Sequence, residues 1–256
     1  MSSLNEAKKI SNLFLIVIAT TAADRGTLLK RLNLKPKYWI IEKPLGSSIK
    51  QINLVEKKFK FSKNAYINMP RENWTIYKKL KKLFIKSKSK MKVNGTNWNL
   101  VSNCFHFLRL FEWINDSKIK SFNFDKINSW YSSKRKKYYE ADGLITAQLY
   151  NGSTCSLISK RTFDNKKKYV VNLYSNKNFV KFNEMSGNLK INNKTLKYKI
   201  PLVSEEMNSY FEKFILKKKV SLPEVKTQLS IQKKVLKEFQ SNWSKKFKKK
   251  NRLNIT

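Results

Sequence analysis

Two apolar runs near the amino terminus predict buried strands joined by a helix. They lie in the predicted strands Leu13–Ala19 and Tyr38–Glu42. Continuous apolar runs of this length are typical of a parallel sheet that helices cover on both faces. The segment Asp24–Leu34 between them is long enough to cross over between two parallel strands. The pattern therefore predicts a strand–helix–strand unit of the α/β class.

The segments on either side extend this unit. A helix is predicted over Ser47–Phe59, with Ser47 or Ser48 as its N-cap. A third strand is predicted at Ala65–Asn68, and Asn5–Ser11 is predicted to end a helix that leads into the first strand.

The remaining chain begins with two predicted helices, Trp74–Lys86 and Asn99–Ile114, and continues with short strands. Several of these stretches alternate apolar and polar residues with period two, as half-buried strands do. The stretches are Ile119–Phe124, Gly143–Tyr150, Thr154–Lys160, Tyr169–Ser175, Phe179–Asn183 and Leu189–Tyr198. Asn151-Gly152 is a strong hairpin signal between two of them. The order predicts a mostly antiparallel open sheet packed on helices, an α+β arrangement.

Two further helices are predicted at the carboxyl end. The last begins at Ser221-Leu-Pro-Glu224, where a capping box coincides with a proline in the first turn. Its apolar stripe consists of Val225, Leu229, Leu236, Phe239 and Trp243.

The residues after the second strand are the first candidates for chemistry. Glu42, Lys43 and Pro44 follow its carboxyl end, which is where open α/β sheets place residues that contact ligands. One lysine among many carries little information by itself, so the surrounding Glu-Lys-Pro is what distinguishes Lys43.

Five stretches, in order along the chain, resemble the Gfo/Idh/MocA oxidoreductases, which are two-domain NAD(P)-dependent enzymes that act mainly on sugars and cyclitols. The stretches are Ile16-Val-Ile-Ala-Thr-Thr21, Ile41-Glu-Lys-Pro-Leu45, Tyr66-Ile-Asn-Met-Pro-Arg71, the helix from Trp98 to Phe111, and the closing Ser204-Glu-Glu, Leu222-Pro-Glu and Asn254-Ile-Thr256. The last group is similar to members from surface-polysaccharide gene clusters.

The resemblance implies a fold, a cofactor and a set of site residues. Residues 1–71 would be the C-terminal half of a Rossmann domain, and residues 72–256 would be the α+β substrate-binding and dimerisation domain. The implied cofactor is NAD or NADP, and the implied substrate is a sugar or nucleotide sugar. The implied catalytic residues are Lys43 and His106, the implied cofactor contacts are Thr20, Thr21, Glu42, Lys43 and Pro44, and the implied substrate contacts are Arg71, Asn103 and Arg109.

His106 is the only histidine, and it lies on a polar stripe of an otherwise apolar helix. The stripe consists of Asn99, Ser102, Asn103, His106 and Arg109, at spacings of three and four residues. A lone histidine is more often structural than catalytic, and the resemblance is what favours catalysis. Two positions depart from the family pattern, since Ser102 and Arg109 replace the usual aspartates. A positive charge at Arg109 disfavours imidazolium, so we expect a neutral His106 that is suited to act as a base.

No glycine-rich dinucleotide turn is present. Such a site needs closely spaced glycines so that the backbone can approach a pyrophosphate at a helix N-terminus. The six glycines are Gly26, Gly46, Gly95, Gly143, Gly152 and Gly187, and none are spaced as G-x-G-x-x-G. We therefore expect the adenosine half of the cofactor site to be missing. Leu13–Ala19 would then be an apolar sheet edge prone to aggregation.

Composition narrows the other possibilities. The net charge of +38 would suit nucleic acid. However, only seven of the 55 basic residues are Arg and the lysines are scattered, so we expect no nucleic-acid partner. Cys104 and Cys155 have neither metal-ligand spacing nor a disulfide framework, which favours a reducing cytoplasm and no metal site. No apolar run approaches the about 18 residues of a membrane helix.

Two functions remain open. The first is an oxidoreductase that transfers hydride between a nicotinamide and a sugar hydroxyl. The second is a truncated, non-catalytic remnant or one piece of a split gene, whose substrate domain could still form a homo-oligomer through its sheet. A basic nucleic-acid-binding protein is the least favoured.

Overall fold

The computed structural model describes residues 12–85, 87–164, 166–218, 220, 222–247 and 253–255. The predicted helix end at Asn5–Ser11, the predicted capping residue Ser221 and the terminal Thr256 lie outside these residues.

A small parallel sheet forms the amino-terminal part of the described chain. Its three strands, in spatial order β1-β2-β3, are Leu15–Ile18, Tyr38–Glu42 and Ala65–Asn68. The register pairs Ile18 with Ile41 and Ile41 with Ile67, so apolar side chains stack across the sheet. The predicted parallel arrangement is confirmed, although β1 is shorter than the predicted Leu13–Ala19.

Two helices connect the parallel strands. Helix α1 spans Arg25–Arg31 and helix α2 spans Ile49–Phe59, and the two pack against each other. Ser48 caps α2, since its side chain accepts a hydrogen bond from the Gln51 N–H. Of the two predicted capping residues, Ser48 is therefore the one that acts.

A larger, mostly antiparallel sheet follows, as predicted. In chain order, β4 to β12 are Lys90–Thr96, Ile119–Asn123, Ile127–Ser132, Tyr139–Leu149, Thr154–Lys160, Lys168–Tyr174, Phe179–Asn183, Asn188–Ile191 and Lys194–Lys197. Among the described residues these nine strands run in the order β12-β11-β10-β9-β4-β8-β7-β5, with β6 paired to β7. The pairing of β4 with β8 is parallel, and the Asn151-Gly152 hairpin joins β7 to β8.

Three strand predictions need correction. Strands β4 and β6 were not predicted, although β4 lies in the interior of the sheet between β8 and β9. The stretch Leu189–Tyr198 is a hairpin of β11 and β12 rather than one strand. Asn192 adopts a positive φ of 51° at its turn, a conformation that asparagine tolerates better than most residues.

Four further helices complete the fold of the described residues. Helix α3 (Thr75–Phe84) follows a single 3₁₀ turn at Pro70–Asn73, and α4 (Leu100–Asn115) packs against α3, β7 and β8. The closing helices are α5 (Val203–Ile215) and α6 (Val225–Phe247).

The closing helices return to the parallel sheet. Tyr210 and Phe214 of α5 pack with Ile40 of β2, while α6 packs against α2 and contacts β3. Helix α6 also reaches the larger sheet, where Phe239 contacts Phe124 and Trp130. Carboxyl-terminal helices thus contribute to the core beneath the parallel strands.

Candidate functional site

The turn after β2 is held by a buried arginine. Arg25, which is only 2% exposed, donates hydrogen bonds to the backbone carbonyls of Glu42 (2.6 Å), Pro44 and Thr20. Burial lowers the pKa of Arg25 to about 10. From the other side, the Leu45 N–H donates to Gln232 Oε1 of α6 at 2.7 Å. Lys43 is therefore presented from a turn that is anchored on both sides.

Lys43 points at the first turn of α4. Its Nζ donates to the Ser102 carbonyl at 2.8 Å and to Asn103 Oδ1 at 3.3 Å. In the described part of the chain no carboxylate lies within 4.0 Å of this ammonium. Burial lowers the pKa of Lys43 to about 8, against the opposing charge of Glu42. An amine with this pKa can both release and take up a proton near neutral pH.

Glu140 of β7 holds the first turn of α4 in place. The Glu140 carboxylate accepts hydrogen bonds from the N–H groups of Val101 (2.9 Å) and Ser102 (3.2 Å). Burial raises the pKa of Glu140 to about 7. Glu140 was not predicted as a site residue, because the strand that carries it was predicted to begin only at Gly143.

A cavity of about 740 Å³ opens beside Lys43. It lies where the carboxyl ends of β1 and β2 face the first turn of α4 and the edge of the larger sheet. Predicted site residues Thr20, Thr21, Glu42, Lys43 and Asn103 line it, as do Ser102 and Glu140. Its lining also includes four basic residues, Lys134, Arg135, Arg161 and Lys167. We call this the Lys43 cavity.

His106 lines a different cavity, of about 340 Å³, which we call the His106 cavity. Glu42 lines both cavities, and Asn68 and Arg71 line only the second. The side-chain amide of Asn68 donates to the Glu42 carboxylate. Lys43 and His106 thus line two cavities that share Glu42, and the charge of Lys43 still acts on His106.

His106 is neutral, as expected, but for another reason. Burial lowers its pKa well below the ordinary value, and the charges of Lys43, Arg71 and Lys167 add to this effect. The charge of Arg109, which was predicted to have this effect, is not among the causes. Within the described structure, His106 Nδ1 is buried and has no hydrogen-bond partner.

The other two side chains that were predicted to contact substrate, Arg71 and Arg109, form ion pairs with carboxylates of the chain. Arg71 forms a bidentate pair with Glu184, with Nη2 to Oε2 at 2.7 Å, and its guanidinium lies 4.5 Å from the Phe107 ring centre. Arg109 pairs with Glu72 at 2.5 Å and borders neither cavity. Arg71 thus lines the His106 cavity while its guanidinium is held in an ion pair, whereas Arg109 links α4 to the 3₁₀ turn.

Two other features are absent from the described residues. No helix there is long and apolar enough to span a bilayer. No three His, Cys, Asp or Glu side chains there come together as metal ligands would.

The chain was compared with known proteins by sequence and by structure. No family model and no curated protein sequence matches it. Solved structures do match. A super-repressor mutant of Gal80p from Saccharomyces cerevisiae aligns with a TM-score of 0.72 and 15% identity, covering 95% of this chain and 81% of that one.

Two dehydrogenases align similarly. Levoglucosan dehydrogenase, in complex with NADH and levoglucosan, has a TM-score of 0.62 and 12% identity, covering 88% of this chain and 77% of that one. UDP-N-acetylglucosamine 3-dehydrogenase GnnA from Acidithiobacillus ferrooxidans has a TM-score of 0.67 and 9% identity, covering 93% and 81%. At identities this low, the structural alignments show the fold alone. The chain has the fold of the Gfo/Idh/MocA-type oxidoreductases.

Proposed function

We propose that this protein is an oxidoreductase that transfers hydride between a nicotinamide cofactor and a hydroxyl group of a sugar or nucleotide sugar. The observation that carries the proposal is Lys43, a half-buried amine with a pKa of about 8 that lines a cavity at the carboxyl ends of parallel strands. Lys43 would accept the proton of the substrate hydroxyl during oxidation and return it during reduction.

The residues present fit one half of the cofactor. Thr20 and Thr21 after β1 and Glu42 at the end of β2 offer hydroxyl and carboxylate groups in the lining of the Lys43 cavity, which suits a nicotinamide riboside. When bound, the nicotinamide supplies the hydride donor or acceptor. For the adenosine half, the sequence contains no G-x-G-x-x-G turn. Similarity to a dehydrogenase that was solved with NADH supports the choice of cofactor.

The remaining predicted residues take separate roles in this proposal. Asn103 orients Lys43 through its Oδ1 and borders the same cavity. Neutral His106 would accept or donate a hydrogen bond to a group that enters the His106 cavity. We assign Arg71 and Arg109 to positioning through Glu184 and Glu72, rather than to direct substrate contact.

Binding and turnover of reduced nicotinamides test the proposal. We expect both NADH and reduced nicotinamide mononucleotide to bind, as measured by calorimetry, because the site offers contacts to the half that they share. Lys43→Met should lower turnover of a responsive keto-sugar by roughly 10²–10³-fold. The matched control is Lys50→Met, an exposed lysine at the start of α2, which should not change turnover. Failure of both nicotinamides to bind would refute the proposal.

A non-catalytic ligand-binding protein is the second candidate. The observation that favours it is that Lys43 and His106 line different cavities. The same fold occurs in the Gal80p super-repressor mutant as well as in dehydrogenases. Saturable binding of a nucleotide sugar without nicotinamide binding would favour this candidate.

A further inference from the structure

A carboxylate and an ammonium bind opposite ends of one residue in the first turn of α4. The Ser102 N–H donates to Glu140 Oε1 at 3.2 Å, and the Ser102 carbonyl accepts from Lys43 Nζ at 2.8 Å. Glu140 also accepts from the Val101 N–H at 2.9 Å. Since Glu140 is 2% exposed, this geometry is held away from bulk water.

Glu140 shares its cavity with Lys43, unlike His106. Other ionisable groups also act on Lys43. The Glu42 carboxylate, which accepts from Asn68, raises the pKa of Lys43 more than Glu140 does, and Arg71, which is paired with Glu184, lowers it. Burial raises the pKa of the Cys104 thiol well above its ordinary value, which keeps it neutral.

Burial governs the pKa of Glu140 more than any neighbouring charge does. Lys43 lowers the pKa of Glu140, as do the hydrogen bonds from Ser102 and Val101, but burial outweighs them. The neighbouring Tyr131 hydroxyl is neutral, since burial and the charges of Asp142 and Glu140 raise its pKa. Lys43 is a cation whose charge acts on Glu140, and coupling between the two groups should be reciprocal.

We propose that Glu140 is a positioning residue for Lys43. It fixes the first turn of α4, so that the Ser102 carbonyl and Asn103 hold the ammonium, and its negative charge favours the protonated form of Lys43. The consequence for catalysis rests on the proposed function, in which Lys43 exchanges a proton with the substrate hydroxyl. The coupling itself is a property of the chain without cofactor or substrate.

The test measures the titration of Lys43 directly. The extent of acetylation of Lys43 by a trace of acetic anhydride is followed by mass spectrometry from pH 6 to 11. In Glu140→Gln, which keeps the shape and removes the charge, we expect a lower pKa for Lys43 and an acetylation rate at pH 7 that rises roughly three- to tenfold. Glu140→Asp should remain nearer to wild type. An unchanged or slower rate in folded Glu140→Gln would overturn the proposal.

Two further measurements keep the result unambiguous. Glu206→Gln is the matched control, because Glu206 is a buried carboxylate that lines only the His106 cavity and should leave Lys43 unchanged. If Glu140→Gln does not fold, the reciprocal variant Lys43→Met should raise the pKa of Glu140, as followed by carboxyl ¹³C NMR. No change there would also overturn the proposal. Neither readout needs turnover, so the coupling can hold even if the nicotinamide binding experiments fail.

Discussion

At the residue scale, a single guanidinium organises the turn that carries Lys43. Arg25 donates to carbonyls on both sides of Lys43, those of Glu42 and Pro44, and to the carbonyl of Thr20 at the end of β1. Loss of a charged donor leaves buried acceptors without partners, which costs more than the hydrogen bonds contribute. Arg25 thus stabilises the local fold and presents Lys43 at the same time.

Replacement of Arg25 should expose this dependence. We expect Arg25→Met to reduce the free energy of unfolding by about 2–4 kcal/mol, as measured by urea denaturation. Arg31→Met is the matched control, since Arg31 is exposed at the end of the same helix and should change stability by less than about 0.5 kcal/mol. Equal effects of the two substitutions would contradict the role assigned to Arg25.

The raised pKa of Glu140 predicts a pH-dependent stability. Its pKa is about 7 in the folded protein, against an ordinary value of 4.5. The folded state binds this proton more tightly than the unfolded state does. The contribution of Glu140 to the free energy of unfolding is therefore complete below pH 4.5 and is lost as the pH rises through 7. The pKa of Lys43 is instead lowered from 10.5 to about 8. Its contribution to the free energy of unfolding is therefore complete above pH 10.5 and is lost as the pH falls through 8.

Glu140→Gln should therefore gain stability relative to wild type as the pH rises. We expect a relative gain of about 2–3 kcal/mol between pH 5 and pH 8, from denaturation curves at both pH values. Glu238→Gln, on the exposed side of α6, should show no such trend. A constant difference between Glu140→Gln and wild type at the two pH values would argue against a buried, titrating carboxylate.

At the scale of elements, β1 is the exposed edge of the parallel sheet in the described residues. Val17 is 44% exposed on this strand, while Ile18 is 5% exposed. An apolar edge with free backbone groups is a template for pairing between chains. The aggregation predicted from the sequence can be tested at this strand.

A charge on the open side of β1 should reduce association. We expect Val17→Lys to lower light scattering during heating, with a change in stability within about 0.5 kcal/mol. Ile18→Lys, one position along the same strand, should instead unfold the protein because its side chain is buried. Unchanged scattering for a folded Val17→Lys would show that β1 is not the associating edge.

The strand predictions succeeded where apolar residues dominate. Strands β2 and β3 were predicted with their observed bounds, as were β8 and β10. Strand β4 was missed because Met91 and Val93 are its only large apolar residues and lysines flank them. Its interior position depends on Gly95, where a Cβ atom would lie 2.0 Å from the Lys168 carbonyl oxygen of β9. Such close backbone approach is invisible in the local pattern.

At the scale of the whole molecule, helix α6 joins the two sheets. It packs against α2 beside the parallel sheet, and Phe239, which is fully buried, contacts Phe124 and Trp130 of the larger sheet region. The main hydrophobic core accordingly includes residues of both sheets. We expect the two regions to unfold as one cooperative unit.

Truncation of Phe239 tests this link. Phe239→Ala should reduce the free energy of unfolding by about 3–5 kcal/mol, with coincident transitions by fluorescence and circular dichroism. Lys237→Ala, exposed on the same helix, should change stability by less than about 0.5 kcal/mol. Two separated transitions would show that the sheets fold independently.

The sequence by itself determined the parallel strands, the helix that carries His106 and the position of Lys43 at a strand end. Each of these follows from local apolar runs and turn residues, whose effects act over a few neighbours. Only the tertiary structure decided that Lys43 and His106 face different cavities, that Arg71 and Arg109 are committed to ion pairs, and that Glu140 holds the turn opposite Lys43. The contacts of Ser102 with Lys43 and Glu140 span 59 and 38 residues of chain. Such contacts arise from packing of distant elements around a shared core, which no local pattern encodes.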